Sequence, residues 1–266
     1  MSAIHFTKMH GLGNDFIVID SLSQQVDIKS SLVRKMSDRH RGIGCDQLLL
    51  LQAATDDKAD FIYRIFNADG SEVEQCGNGA RCVARYLVKN KLTDKKSFSL
   101  QTMKGIIDVE VHHDNSVTVC MGKPSRLDEM QVLELGDASY NYVFVDVGNP
   151  HIVIFDSIAG DVKKIGAALS QHAQFPEGVN VSFVRSVSPG EIEIVVYERA
   201  AGLTSACGSA ACAVAAAAYS LNKVDAHVLV RQRGGQLQIS GLSDGTIFMQ
   251  GPAEFVFEGT WLGSLE

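Results

Sequence analysis

Short apolar runs bounded by turn residues recur along the chain. They predict strands near 15–20, 46–51, 61–66, 98–103, 106–111 and 116–121, then near 142–147, 151–156, 179–184, 191–197, 227–232 and 246–250. Apolar positions at helical spacing predict peripheral, amphipathic helices near 30–39 and 161–171. Two further helices each follow a Cys-Gly turn. The first, near 79–89, buries Ala80, Val83, Ala84, Leu87 and Val88, and its Arg81 and Arg85 read as a solvated face. The second, Ala210–Tyr219, is apolar around its whole circumference, which predicts burial on every side. Strands and helices in this mixture make an α+β protein.

The pattern is written twice. Gly13-Asn14-Asp15-Phe16-Ile17-Val18-Ile19 resembles Gly148-Asn149-Pro150-His151-Ile152-Val153-Ile154, an offset of 149 − 14 = 135. Cys76-Gly77-Asn78-Gly79-Ala80 resembles Cys207-Gly208-Ser209-Ala210-Ala211, an offset of 207 − 76 = 131. Tyr86 and Tyr219 follow at 133, then Asn90-Lys91-Leu92 and Asn222-Lys223-Val224 at 132. Matches in the same order at nearly constant offset indicate two homologous halves. Each half is expected to be a curled mixed sheet around one central helix, with a cleft between the halves as the active site.

Composition narrows the partners. The net charge is 24 − 31 = −7, which argues against nucleic acid or an anionic membrane surface as the main partner. The N-terminal residues Met1–Lys8 carry no secretory signal pattern, and no apolar stretch reaches membrane-span length, so a cytoplasmic location is expected. Thiols stay reduced there. The six cysteines are then reactive groups, ligands or small buried hydrophobes. Cys76-x5-Cys82 and Cys207-x4-Cys212 are not structural zinc spacings, and no dinucleotide or Walker motif is complete, so no metal and no organic cofactor is expected. Cys45, Cys82, Cys120 and Cys212 read as packing residues.

Cys76 and Cys207 stand apart because each precedes a helix. A helix N-terminus carries partial positive charge and up to four unpaired N–H groups. These favour a thiolate and can also hold a carboxylate. Two thiols at equivalent places in facing halves suit a reaction in which one face of a carbon loses a proton and the other gains one. Thiolate and thiol then act as base and acid, and the roles swap with direction.

At these residues the chain resembles the diaminopimelate epimerase family. The resemblance runs through Phe6–Phe16, Arg41–Gln47, Asn67–Ser71, Glu74–Cys82, Gly148–His151, Glu177–Val181 and Tyr197–Arg199, and into Ala206-Cys207-Gly208. It implies a cofactor-independent epimerase that interconverts LL- and meso-2,6-diaminopimelate in lysine and peptidoglycan-precursor biosynthesis. Cys76 and Cys207 match the catalytic pair. His151 and Glu198 match positions that assist the thiols or orient the substrate. Asn14, Gln47, Asn67, Asn78, Asn149, Asn180, Glu198 and Arg199 match substrate-binding positions, with Gly77, Gly208 and Ser209 supplying N–H groups. The family plan implies a first domain of 1–120 completed by 253–266, a second of 121–252, and a homodimer. The chain departs from the commonest pattern at Leu203, Ser209, Ala210 and Phe257, the last where members often carry a tyrosine linked to dimer contacts.

Two other readings compete. A proline or hydroxyproline racemase shares the two-cysteine plan but lacks the Glu74-Gln75-Cys76-Gly77-Asn78-Gly79 type of turn. A non-catalytic amino-acid-binding or thiol-sensor protein has no need of both cysteines and the polar residues around them.

Overall fold

The computed structural model describes residues 3–55, 57–156 and 160–263. The chain divides into two compact units, 1–119 with 251–266, and 120–250. Among the described residues no helix is long and apolar enough to cross a membrane.

The first unit is built from β1 (Ile4–Gly11), β2 (Asn14–Asp20), β3 (Gln47–Ala53), β4 (Phe61–Asn67), β5 (Glu72–Val73), β6 (Ser97–Thr102), β7 (Gly105–Val111) and β8 (Val117–Gly122). The second uses β9 (Arg126–Leu135), β10 (Ala138–Asp146), β11 (Pro150–Ile154), β12 (Asn180–Ser188), β13 (Glu191–Glu198), β14 (Gly202–Leu203), β15 (Val228–Gln232), β16 (Gly235–Ser240) and β17 (Ile247–Gly251). The last strand, β18 (Glu254–Trp261), pairs with β1 and so belongs to the first unit. The helices are α1 (Ser30–Ser37), α2 (Gly77–Lys89), α3 (Val162–Ser170) and α4 (Gly208–Ser220).

Strand order repeats. The first unit runs β18-β1-β2-β3-β4-β6-β7-β8. The second runs β9-β10-β11-β12-β13-β15-β16-β17. In each, two pairs are parallel, β2–β3 and β4–β6 against β11–β12 and β13–β15. Parallel neighbours need a crossover. α1 and α3 supply the first crossover of each unit, and α2 and α4 the second. The fold is a sheet-rich α+β architecture with few helices.

The helix that is apolar all round is buried as its sequence demands: Ala210 to Ala218 are all within the core. It packs against β10, β11, β12, β13, β15 and β16. Small side chains let these strands come close. The companion helix α2 lies against β1, β2, β3 and β7.

Three expectations need correction. Arg81 is not on a solvated face: it is 0% exposed, and Arg85 is largely covered as well, donating to the Ala253 carbonyl. The carbonyls of Pro252 and Ala253, just before β18, are what draw the two guanidinium groups inward. The repeat register at the helix ends is also tighter than the residue matches implied. α2 and α4 start and stop at a constant offset of 131 (208 − 77 and 220 − 89). Lys91 and Asn222 then take the left-handed conformation that closes each helix, with φ of 55° and 54°. The helix-closing turn sets the register there, so Tyr86 and Tyr219 are not equivalent. Cys120, finally, is packed only in part: it is partly buried on β8.

The strands β1, β9, β16 and β18 carry no continuous apolar run. β9 reads RLDEMQVLEL and pairs with β10; its exposed positions alternate between polar residues (Arg126, Glu129, Glu134) and apolar ones (Leu127, Met130, Val132).

The loop after α1 brings the first site residues into place. Gly42 N–H donates to the Asp38 carbonyl, and the N–H groups of Ile43 and Gly44 donate to that of Met36, which caps the helix. A Cβ on Gly42 would stand 2.1 Å from the Lys35 carbonyl oxygen and 2.8 Å from that of Met36. These are backbone atoms and cannot swing away. Gly42→Ala is expected to lower unfolding free energy by about 2 kcal/mol or more, whereas Gly190→Ala, with nothing within 4 Å of its added methyl, should stay within about 0.5 kcal/mol of the parent. Urea unfolding of the two variants side by side checks this; equal midpoints would contradict the packing described.

Candidate active site

Each unit holds a cysteine at the N-cap of its second crossover helix. Cys76 caps α2 with φ −146° and ψ 110°, and Cys207 caps α4 with φ −131° and ψ 117°. Near-identical backbone angles follow from the same strand–turn–helix geometry. None of the six cysteines is in a disulfide.

Around Cys76 the groups are amides. Its Sγ accepts from Gly79 N–H at 3.4 Å. Asn14 Oδ1 lies 4.0 Å from the sulfur and accepts from Asn78 Nδ2 at 3.2 Å. Asn14 Nδ2 donates to Asp46 Oδ2 at 3.0 Å. Tyr63 hydroxyl donates to the Cys76 carbonyl at 3.0 Å. Beside this set, Gln47 Nε2 donates to Asn67 Oδ1 at 3.0 Å across the β3–β4 pair, and Asn67 Nδ2 donates to Ser71 Oγ at 3.2 Å. Gly77 opens the helix, and its missing side chain leaves backbone N–H groups accessible beside the sulfur.

Around Cys207 two groups can ionise. Glu198 Oε2 accepts from Cys207 Sγ at 3.3 Å, and Ser209 Oγ lies 3.4 Å from the same sulfur. Gln232 Oε1 accepts from the Cys207 N–H at 2.7 Å. Burial and the neighbouring Glu198 carboxylate push the Cys207 thiol well above its ordinary range, against the opposing hydrogen bonds of Ser209 and Ala210. His151 is fully buried, with Nε2 at 3.1 Å from both Asn149 Oδ1 and Ser209 Oγ. Burial, aided by the charge of Arg199, lowers its pKa to about 3, so it is a neutral imidazole at physiological pH. Asn149 Oδ1 only accepts, which places the ring proton on Nε2. Asn149 Nδ2 in turn donates to Ser209 Oγ at 3.3 Å. Asn180 joins the edge of this set: its Nδ2 donates to the Pro150 carbonyl at 3.0 Å and its Oδ1 accepts from Arg199 N–H at 3.1 Å. Arg199 Nη1 donates to the Glu177 carbonyl at 3.1 Å, and Gly208 opens α4 as Gly77 opens α2.

The structure thus gathers Asn14, Cys76, Gly77 and Asn78 in one set and pairs Gln47 with Asn67. It gathers Asn149, His151, Glu198, Cys207, Gly208 and Ser209 in another, with Asn180 and Arg199 at its margin. Asn180 is 3% exposed, so it is no surface polar group. Leu203 is an exposed residue of the short β14. Ala210 sits in the first turn of α4 without positive φ, so the methyl group costs the backbone nothing there. Groups that touch these sets but were not candidates from sequence include Asp46, Tyr63 and Gln232. Asp46 adjoins Gln47 within the Gly44–Gln47 segment, which was the one available signal. Tyr63 and Gln232 sit in ordinary strand patterns and gave none. Among the described residues no group of three or more His, Cys, Asp or Glu side chains is arranged to hold a metal ion.

Comparison with known proteins agrees with this arrangement. A family model described as diaminopimelate epimerase matches residues 6–127 and 143–256. Among solved structures, a phenazine biosynthesis protein of the PhzF family from Bacillus anthracis superposes with a TM-score of 0.75 at 14% identity, covering 98% of this chain and 100% of that one. A probable proline racemase from Agrobacterium radiobacter K84, with bound carbonate, gives 0.74 at 16% identity and covers 99% and 93%. A hydroxyproline epimerase from Agrobacterium vitis, with bound trans-4-hydroxy-L-proline, gives 0.70 at 16% identity and covers 97% and 92%. At these identities the structures establish a shared two-domain epimerase-like fold. The matched family segments take in both cysteine-capped helices, and the chain belongs to the diaminopimelate epimerase family.

Proposed function

We propose that the protein interconverts LL- and meso-2,6-diaminopimelate by two-thiol acid–base chemistry, without an organic cofactor. The observation that carries this reading is the pair of cysteines at the N-caps of equivalent helices, one per half of a duplicated chain. A thiolate removes the α-proton from one face of the substrate carbon, and the electron pair passes into the carboxylate as enolate character develops. A thiol delivers its own proton to the opposite face, and the two sulfurs exchange roles. The mechanism requires both sulfurs to reach one α-carbon from opposite sides.

Helix N-terminal N–H groups beside Gly77 and Gly208 receive the carboxylate and stabilise its growing charge. Cys207, held as a thiol by burial and Glu198, is the acid of the resting enzyme; having delivered its proton to the carbon, it is the thiolate that takes the substrate proton when the direction reverses. Neutral His151 serves as a fixed hydrogen-bond donor that orients Asn149 and Ser209. Asparagine and glutamine side chains carry both donors and an acceptor, so Asn14, Gln47, Asn67, Asn78, Asn149 and Asn180 can read ammonium and carboxylate groups alike. Arg199 supplies a guanidinium for the carboxylate of the non-reacting end. Support for the substrate comes from the family match and the Glu74–Cys82 segment. In this reading the enzyme is a cytoplasmic homodimer of lysine and peptidoglycan-precursor synthesis.

The fold is shared with a proline racemase and a hydroxyproline epimerase, so the substrate is tested directly. Reduced protein incubated with LL-diaminopimelate in heavy water is expected to form the meso isomer and to take up deuterium at an α-carbon. L-proline and trans-4-hydroxy-L-proline should remain unchanged. Turnover of either in place of diaminopimelate would transfer the assignment to the racemase reading.

Cys76→Ala and Cys207→Ala are each expected to abolish net epimerisation, lowering turnover by about a thousandfold or more, while Cys45→Ala keeps near-parent rates. Chiral separation of the product measures this, and substantial turnover by either of the first two would reject the two-thiol mechanism.

Glu198→Gln removes the anion that opposes ionisation of Cys207. Its thiolate should therefore form at lower pH, and alkylation of Cys207 at pH 8 should accelerate about tenfold for each pK unit of displacement. Peptide-resolved mass spectrometry reads the rate; an unchanged or slower reaction would show that Glu198 does not set the charge of this thiol.

A further inference from the structure

Arg81 was expected in solvent and is instead one of the largest fully buried side chains. Its Nε donates to the Pro252 carbonyl at 3.1 Å, and its Nη2 donates to Asn78 Oδ1 at 2.9 Å. A guanidinium only donates, so this contact decides the orientation of the Asn78 amide. With Oδ1 taken by Arg81, Asn78 presents Nδ2 to Asn14, whose Oδ1 accepts at 3.2 Å. Asn14 must then present its own Nδ2 on the other side. There it meets Asp46 Oδ2 at 3.0 Å, and a carboxylate only accepts.

The same Oδ2 accepts from Asp15 N–H at 3.1 Å, and Asp46 Oδ1 accepts from Arg39 Nη2 at 2.8 Å. Arg39 and Lys8 also clamp Asp15. Burial alone would raise the Asp15 pKa, but hydrogen bonds from Arg39 and Lys8 outweigh it, and the carboxyl stays well below its usual range. Asp46 is thereby seated on a fixed ionic frame. A cation at one end and an anion at the other leave the two amides a single polarity.

We propose that Arg81 and Asp46 are positioning residues that lock the Asn78 and Asn14 carboxamides in this polarity, so that Cys76 faces the Asn14 carbonyl oxygen rather than its amino group. A carbonyl oxygen beside the sulfur accepts S–H and repels a thiolate, whereas an amino group would donate to the thiolate. The relay thus sets the proton balance of Cys76 against the pull of Gly79 N–H. The second half uses the opposite device, since Asn149 turns its amino group toward Ser209. Tyr63 on β4 and Cys82 on α2 are titratable groups that also lie near Cys76. Burial holds Tyr63 well above its ordinary range and raises Cys82 to about 12, so both stay neutral across neutral pH. This inference deepens the two-thiol reading, but its test needs no substrate.

The test is the rate of Cys76 alkylation by iodoacetamide across neutral pH, resolved from Cys207 by peptide mass spectrometry. Either end alone still dictates the polarity, so the decisive variant combines Arg81→Met with Asp46→Ala, which frees both amides; Cys76 should then react about threefold faster or more at pH 7, which corresponds to half a pK unit. Arg81→Met alone leaves Asn14 Nδ2 on Asp46, and Asp46→Ala alone leaves Asn78 Oδ1 on Arg81; each should keep Cys76 within about twofold of the parent. Cys207 should not respond to any of the three. The inference is overturned if the double variant leaves Cys76 unchanged or slows it, or if a single variant accelerates it as much as the double. Should the double variant fail to fold, the two single variants decide, and acceleration by either overturns the inference. Relay responses in a protein that does not turn over diaminopimelate would refute the proposed function and leave the relay standing.

Discussion

A thiol placed at the N-cap of a buried helix has unusual company: backbone N–H groups on one side, and the walls of a sheet that exclude water on the others. Both cysteine-capped helices depend on that placement. Their backbone angles at the cap agree within 15° in φ (146 − 131) and 7° in ψ (117 − 110). The crossover from an antiparallel strand into a helix and back to a parallel strand generates the cap in each unit. Small residues after the cysteine then let backbone, rather than side chain, line the space where a substrate would bind. Neither thiol could serve as acid or base if it were merely packed, as Cys82 and Cys212 are, six (82 − 76) and five (212 − 207) residues further along.

On this shared backbone the two half-sites carry different chemistry. Positions equivalent by the repeat hold Asn78 against Ser209 and Asn67 against Glu198, at an offset of 131. His151 corresponds to the buried Phe16, at an offset of 135 (151 − 16). The first half surrounds its thiol with carboxamides whose orientation is fixed from a distance, and the second with a carboxylate, a hydroxyl and a neutral imidazole. In the proposed reaction one sulfur acts as thiolate and the other as thiol in each direction, and here the two stand in unlike surroundings. Duplication supplies the geometry, and divergence of side chains supplies the chemistry.

Much of this was legible beforehand because it is local. Runs buried on both faces identified the central strands, and the all-apolar Ala210–Tyr219 segment identified its helix as a core element. The cysteine-capped turns were visible because a repeat raised two ordinary tripeptides above chance. What stayed hidden was set by tertiary contact. Arg81 lies at helical spacing from Arg85 and looks solvated, yet carbonyls 171 and 168 residues away draw the two inward. The edge strands β9 and β18 lack a continuous apolar run, since pairing on one side suffices to hold them. Gln232 and Tyr63 meet the cysteine backbones through long-range pairing that no local pattern reports.

The central claim is that two different groups handle the proton on the two faces of one carbon. Deuterium at the α-carbon of LL-diaminopimelate, followed through a single turnover in ordinary water, tests it most directly. Two thiols require that the abstracted deuteron stay on one sulfur while the other delivers a solvent-derived proton, so the meso product should carry hydrogen at the inverted centre. Retention of deuterium in that product would mean that one group removes and returns the same proton, and would contradict the account.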